Sequence, residues 1–203
     1  TIPASNLQPR YNICPTTEVD VVVRGSNERA MMPIRWGLIP SWWKKPLKEM
    51  RLATFNARAE TIEDKPTFRE SFRKRRCLMP LSGYYEWKDT PEGKQPYYFT
   101  RADGQVMTAA AIEDVWTNPE NGERMRSCSM VITSPNAFMA QFHDRMPVIL
   151  DKADFEQWER GTIEDAKALM RPAAEDALRA WPVSKRVNSS RAPDEDASLI
   201  SPL

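Results

Sequence analysis

The sequence predicts an α+β fold with largely antiparallel sheets. Three observations carry this. Strand-like segments dominate the middle of the chain and helix-like segments follow, an order that suits α+β over a doubly wound βαβ arrangement. The 17 prolines against 7 glycines point to many short elements joined by stiff turns. Neither GxGxxG nor GxxxxGK followed by Ser or Thr occurs, so the phosphate-cradling loops of nucleotide-binding α/β folds have no counterpart.

Residues 19–24 are mostly β-branched and read as a strand. Gly25-Ser26-Asn27 is a turn signal, and residues 29–36 read as the returning strand. Residues 40–46 must form a loop, because Pro40 and Pro46 bracket a Trp pair and a Lys pair. Thr67-Phe68-Arg69-Glu70 matches a capping box, and Phe68 and Phe72 then share one face of a short helix over 67–76. Residues 78–88 and 96–101 read as strands joined by the turn-rich DTPEGK, and 105–113 and 126–133 as two more. Residues 136–142 are expected to make one or two helical turns carrying His143 at their end, with 146–150 a short apolar strand. Residues 153–160 and 164–180 look helical, the second interrupted by Pro172. The tail from Val183 is polar and irregular, with Leu199-Ile200 able to dock.

Size and composition bound the function. A chain of 203 residues is expected to form one domain over 1–203, burying about two-thirds of its unfolded surface. Charged residues at 28% and hydrophobic ones at 41% are those of an ordinary soluble globule. The net charge of +1 predicts neither a nucleic-acid nor a membrane partner, so any basic surface must be local. No run of about 18 apolar residues exists, so no membrane span is expected. The first residues, TIPASNLQPRYN, are no secretory signal, lack an initiator Met and read as opening inside a longer protein. Cys14, Cys77 and Cys128 are too widely spaced for a zinc site and odd in number for a disulfide framework. With one histidine as well, no metal and no cofactor is expected, and the thiols are read as reduced, in the cytoplasm.

Four segments carry the candidate chemistry. His143, the only histidine, lies in AFMAQFHDRMP at 137–147, beside Asp144-Arg145. It reads either as an acid–base group titrating near neutrality or as an ordinary surface or core residue. Glu86 ends the aromatic run Tyr84-Tyr85-Glu86 before Trp87. On a strand, Tyr84 and Glu86 face one way and Tyr85 and Trp87 the other. Turned inward, Glu86 would sit among rings, and desolvation would raise its pKa into a range useful for proton transfer. Turned outward, it is a cross-strand partner for a lysine. In FNARAET, Asn56 and Arg58 share a face, one offering an amide and the other a guanidinium fork suited to phosphate, unless Arg58 simply pairs with Glu60. Trp42-Trp43, beside Lys44-Lys45, offers either a stacking platform for bases or an anchor for its own loop. Arg69, Arg73, Lys74, Arg75 and Arg76 read as a solvated helix face rather than a DNA site.

Together these segments resemble the SOS-response-associated peptidase (SRAP) family. RYNICPT at 10–16 resembles its RYN-x-x-P block, WGLIPSWW at 36–43 its WG-x-x-P-x-WW block, and FNARAET at 55–61 its N-A-R-x-E block. GYYEWK is similar to its Gly-aromatic-aromatic-Glu-Trp block, and HDRMP to its H-x-R-M-P block. Any one motif is weak; five in order, over residues 10 to about 150, are very specific. KQPYYF and AAIEDVW also look like family segments.

The resemblance implies a single domain with a curved, barrel-like antiparallel core. It also implies a groove for single-stranded DNA, or single-/double-strand junctions, carrying abasic sites. The implied reaction is covalent capture of the open-chain sugar aldehyde by an N-terminal cysteine. Its amine forms a Schiff base and its thiol closes a thiazolidine, after self-proteolytic removal of what precedes the cysteine. The resemblance assigns Glu86 to deprotonating the amine, His143 to acid–base work on the sugar, and Asn56 to a hydrogen bond near the amine. Arg58 and Arg145 would hold phosphates, Trp42 or Trp43 would stack beside the lesion, and Asn12 and Thr133 would line the pocket. The protein is expected to be a monomer, cytoplasmic and nucleoid-associated when bound to DNA.

One departure is plain. The family begins Met-Cys-Gly-Arg and this sequence begins Thr1-Ile2-Pro3, so the nucleophile is expected to be missing from it and the chain as written to be inactive in crosslinking. Cys14, inside RYNICPT, has no free α-amine and cannot replace it. Two other readings stay open: a non-covalent single-stranded DNA binding module, and a peptidase acting on other proteins.

Overall fold

The computed structural model describes residues 2–3, 7–25 and 28–203, with the backbone alone for Ile2 and Pro3. Strand β1 (Ile2–Pro3) lies parallel to β3 (Arg29–Trp36), which pairs antiparallel with β2 (Glu18–Arg24). The turn between them, expected at Gly25-Ser26-Asn27, falls partly outside the described residues. Strand β2 touches β5 (Arg76–Leu81) at Val22 and Leu78, β5 pairs with β8 (Met107–Thr117), and β8 with β9 (Arg124–Thr133). Strand β9 then returns to β3, Arg35 against Ser127 and Trp36 against Cys128, and closes a five-stranded barrel. Strand β4 (Asn56–Arg58) and β10 (Met146–Pro147) extend it from β9, and β6 (Tyr84–Thr90), β7 (Gly93–Arg101) and β11 (Leu178–Pro182) form a second sheet. The fold is α+β, as expected.

Strand alternation explains how the barrel fills. Val19, Val21 and Val23 point inward, where they meet Ile34, Cys77, Met79, Ala109, Ala111, Cys128 and Met130. The small alanines of β8 leave room for the larger groups opposite, as a narrow barrel requires. The alternate residues Val22, Leu78, Ala110 and Ile112 point outward and are covered by Phe72 of α1 (Arg69–Lys74), Trp158 of α2 (Phe155–Arg160), and Ala166 and Leu169 of α3 (Ile163–Leu169).

Four expectations are corrected. The strand expected over 78–88 is two strands in different sheets, broken at Ser82-Gly83. A Cβ at Gly83 would lie 2.3 Å from the Phe99 carbonyl oxygen and from the Tyr98 ring, so only glycine lets the chain cross there. The DTPEGK turn is tighter than expected, since β6 and β7 pair as far as Thr90 and Gly93 and leave Pro91-Glu92 as the loop. The helix expected over 164–180 ends at Leu169, and residues 178–182 are instead strand β11, paired antiparallel with β7. Alanine-rich propensity loses there to edge pairing and to alternate burial of Leu178 and Trp181 on opposite sheet faces. The capping box at Thr67 does not form. The amides of Phe68 and Arg69 go to the Lys65 carbonyl, no side chain caps α1, and Glu70 pairs with Lys74 at 3.1 Å.

The second sheet has two different faces. Tyr84, Tyr97, Phe99 and Leu178 pack with Phe138, Met139, Phe142 and Met146 between the sheet and the barrel. Tyr85, Trp87, Tyr98 and Trp181 face outward and are covered by the tail through Val183, Val187 and Leu199. Leu199 is fully buried, as the docking of Leu199-Ile200 required, and the Trp181 indole donates to the Ile200 carbonyl.

Candidate active site

His143 is placed by a short turn that the rest of the chain fastens firmly. The side-chain oxygen of Asn136 accepts the Met139 amide at 2.8 Å, and the Asn136 amide donates to the carbonyls of Ala173 and Ala174. The Glu175 carboxylate accepts the amides of Ala137 and Phe138. A 3-10 turn at Met139–Gln141 follows, and the His143 amide closes it on the Met139 carbonyl. Phe138 and Phe142 anchor the turn edge-on against Phe99.

The imidazole faces β6. Its Nε2 lies 3.8 Å from Oε2 of Glu86, and its Nδ1 accepts the Arg145 amide at 3.2 Å. With Nδ1 acting as acceptor, the proton of the neutral ring sits on Nε2, on the side of Glu86. Asp144 lies on the other side, 3.4 Å from Nδ1.

Glu86 shares a sheet face with Tyr84, as the alternation predicts. Burial pushes its carboxyl from the ordinary 4.5 up to about 7, Asp144 pushes it the same way, and Lys94 opposes both. Glu86, His143, Trp87, Lys94 and Asn188 line an open cavity of about 410 Å³. Among these five there is no serine, threonine or cysteine to act as an internal nucleophile.

A second grouping adjoins the His143 loop through Arg145, and none of its residues is among the five that line the cavity. Strand β4 runs parallel to β9 with Asn56 opposite Met130 and Arg58 opposite Ile132, while Pro147 of β10 pairs with the same Ile132 from the far edge. Nη1 of Arg145 reaches Oε1 of Glu60 at 2.6 Å, tying HDRMP to FNARAET across the end of β9. Glu60 therefore pairs with Arg145, and Arg58 stays exposed. Oδ1 of Asn56 and Nε of Arg145 are buried with no hydrogen-bond partner among the described residues.

The two tryptophans part company. Trp42 is 46% exposed, with its indole N–H tied to the Pro66 carbonyl at 3.0 Å. Trp43 is half-buried and its carbonyl accepts the Trp116 indole at 2.7 Å. The Ser41 amide donates to the buried Asp114, itself 2.8 Å from Arg75, and the Ile39 amide to Ser127. One tryptophan thus anchors the loop and the other is presented by it.

The remaining expected residues lie further off. Asn12 donates to the Ser189 carbonyl at 2.9 Å, one residue from the cavity wall at Asn188, and Thr133 is buried with its hydroxyl toward the Met170 carbonyl. Neither lines the cavity. The basic stretch splits: Arg76 is buried against the carbonyls of Phe72, Trp158 and Gly161, Arg75 holds Asp114, and Arg69, Arg73 and Lys74 are exposed. All three cysteines are free; burial pushes Cys128 up to about 12 and Cys77 well above its ordinary value. Among the described residues, no group of three or more His, Cys, Asp or Glu could hold a metal ion, and no helix is long and apolar enough to cross a membrane.

Lys94 and Asn188 are the lining residues that sequence reasoning missed, and Trp87 was assigned only to the opposite face. Lys94 stood in the recognised KQPYYF neighbourhood. Asn188 had no local signal, because its contact with Trp87 depends on tail docking.

Comparison with known proteins places this chain in a family. The family described as SOS response associated peptidase (SRAP) matches residues 2–190. The chain is 32% identical over 194 residues to abasic site processing protein YoqW of Bacillus subtilis, covering 94% of this chain and 85% of that one. It is 31% identical over 199 residues to abasic site processing protein YedK of Escherichia coli, covering 96% and 85%. It is 33% identical over 215 residues to abasic site processing protein HMCES of Xenopus tropicalis, covering 91% and 64%. A solved structure from Bacteroides thetaiotaomicron matches with a TM-score of 0.84 at 28% identity, covering 93% of this chain and 82% of that one. By the residues 2–190 matched, and by the five sequence blocks now placed on one fold, this chain belongs to the SOS-response-associated peptidase family.

Proposed function

We propose that this chain binds single-stranded DNA at abasic sites and processes them, with Glu86 and His143 as the proton-transfer pair. The carrying observation is the meeting of Glu86 and His143 in an open cavity, with the carboxyl raised to about 7 by burial. A group half-ionised near neutrality can both take and return a proton.

The chemistry follows from the open-chain sugar aldehyde. A neutral α-amine attacks C1′, water leaves, and an imine forms. The thiol of the same residue then adds across the C=N bond, its proton passing to nitrogen, and closes a thiazolidine. Glu86 takes the proton that makes the amine nucleophilic. His143, with its N–H toward Glu86, moves the proton that opens the sugar ring. Oδ1 of Asn56, a buried acceptor without a described donor, suits an incoming N–H. An abasic nucleotide offers no base to read, so recognition rests on phosphates and flanking stacks. Arg58 and Arg145 supply the first and Trp42 the second. Asn12 acts behind the cavity wall, through Ser189, while Thr133 lies further off against the Met170 carbonyl.

The resemblance implies that the aminothiol of this reaction comes from a Met-Cys-Gly-Arg start, so the test supplies that segment ahead of Thr1. The expected product is a heat-stable adduct with an abasic single-stranded oligonucleotide, preceded by self-removal of the Met. Glu86→Gln and His143→Gln should slow its formation while DNA binding persists; unchanged rates in both would overturn the role assignment. The exposed Trp42 favours a second reading, non-covalent binding of single-stranded DNA as a monomer. Its mark is salt-dependent binding without adduct, lost in Arg58→Ala and Trp42→Ala.

A further inference from the structure

One wall of the cavity is not used by the proton-transfer pair. Lys94 comes to it from β7, and Asn188 from the last turn of Lys185–Asn188 in the tail. The Trp87 indole N–H donates to Oδ1 of Asn188 at 2.7 Å. An indole N–H can only donate, so this bond fixes which way the amide faces. Oδ1 is turned to Trp87, and Nδ2, with two N–H groups, is left for the cavity. Nδ2 donates to no described residue. Lys94 is held only loosely, 3.8 Å from Asp89, and its side chain is 66% exposed.

Arg58 and Arg145 do not line this cavity. His143 looks toward Glu86 and Lys94, whereas Arg145, two residues on, is turned to Glu60 beyond β4. Lys94 thus shares a cavity with the imidazole, while Arg145 follows it by two residues outside that cavity. A nucleic-acid backbone carries a phosphate on each side of one nucleotide, so two separate cationic groups near His143 match that requirement.

We propose that Lys94 and Asn188 form a second phosphate subsite, separate from Arg58 and Arg145, that holds the phosphodiester on the far side of the abasic nucleotide. The ammonium neutralises the phosphate, and the amide donates to its oxygens in an orientation set by Trp87. The subsite rests on the reading of this chain as a single-stranded DNA binder. Its donors would also suit free inorganic phosphate, which shares the same oxygens.

The test is anisotropy of a labelled single-stranded oligonucleotide carrying a tetrahydrofuran abasic analogue, titrated with the chain from about 50 to about 200 mM salt. Each neutralised phosphate of a single strand contributes about −0.7 to the slope of log affinity against log salt. Lys94→Gln is expected to weaken binding several-fold and make that slope shallower by about 0.7. Asn188→Asp keeps an acceptor for Trp87 but puts a carboxylate where the donor was, and is expected to weaken binding several-fold with the melting temperature unchanged. Arg58→Ala reports on the parent reading. If the wild-type chain binds with Arg58-dependent affinity while both other variants keep its affinity and slope, the subsite alone falls. If the wild-type chain does not bind, both fall. Inorganic phosphate at matched ionic strength should leave binding unaltered. Competition by it that Lys94→Gln abolishes would reassign the subsite to free phosphate and overturn its place on the DNA.

Discussion

Glu86 owes its raised pKa to an accident of register that proteins exploit often. Strand β6 turns it to the same side as Tyr84, toward the rings between the sheets, and Lys94 offsets burial only in part. The unfolded chain therefore releases this proton at about 4.5 and the folded one at about 7. Between those values the folded state binds more protons, so stability falls as pH rises and is lowest, on this group's account, above about 7. The shift corresponds to about 3 kcal/mol at most. Glu86→Gln mimics the protonated side chain, so it should melt with the wild-type chain near pH 4 and above it at pH 8. Thermal melts at the two pH values check this, and an equal offset at both would show that Glu86 is not buried against its charge. On the proposed reading, the same variant also removes the acidic limb near pH 7 from the rate of adduct formation.

At the scale of elements, a single glycine separates the barrel from the site-bearing sheet. With 2.3 Å between a Cβ at Gly83 and the Phe99 carbonyl oxygen, the clash is with backbone that cannot move aside. Gly83→Ala should therefore cost about 3 kcal/mol by overpacking, seen as an earlier urea midpoint with unchanged slope. A cost below about 0.5 kcal/mol, typical of an open surface position, would mean that β5 and β6 tolerate a different crossing. This junction also marks what the sequence could and could not disclose. β2 and β3 were legible because a mostly β-branched run is followed by a turn signal. The face of Glu86 was legible because a strand's side chains alternate. The break at Gly83 was not, because the packing of Tyr98 against it is a tertiary fact absent from CLMPLSGYYEW. For the same reason β11 read as helix: Ala173, Ala174, Ala177 and Ala180 favour a helix, and only the β7 edge makes residues 178–182 a strand.

The whole molecule adds a connection that no segment reveals alone. The tail runs back over the outer face of the second sheet and ties together parts of the chain that begin and end it. The Tyr11 amide donates to the Asp194 carbonyl, Asn12 donates to Ser189, and Trp87 donates to Asn188. The hydroxyl of Tyr85 donates to the Tyr11 carbonyl, so RYNICPT, the second sheet and the tail form one layer beside the cavity. Leu199 is the fully buried peg under that layer, packed with Tyr98, Val183 and Val187. Leu199→Ala removes its contacts and should cost about 2–3 kcal/mol. The loss should be local, because the barrel core of Val21, Ile34, Ala111 and Cys128 shares no residue with the tail cluster. Hydrogen exchange checks this: the amides of Tyr11 and Leu199 should lose protection while those of β8 and β9 keep theirs. Equal loss throughout would mean that tail and barrel unfold as one unit. Loss confined to the tail would make the cavity wall at Asn188 separately adjustable, so that Leu199→Ala weakens oligonucleotide binding in the same sense as Asn188→Asp without touching any group that faces the DNA.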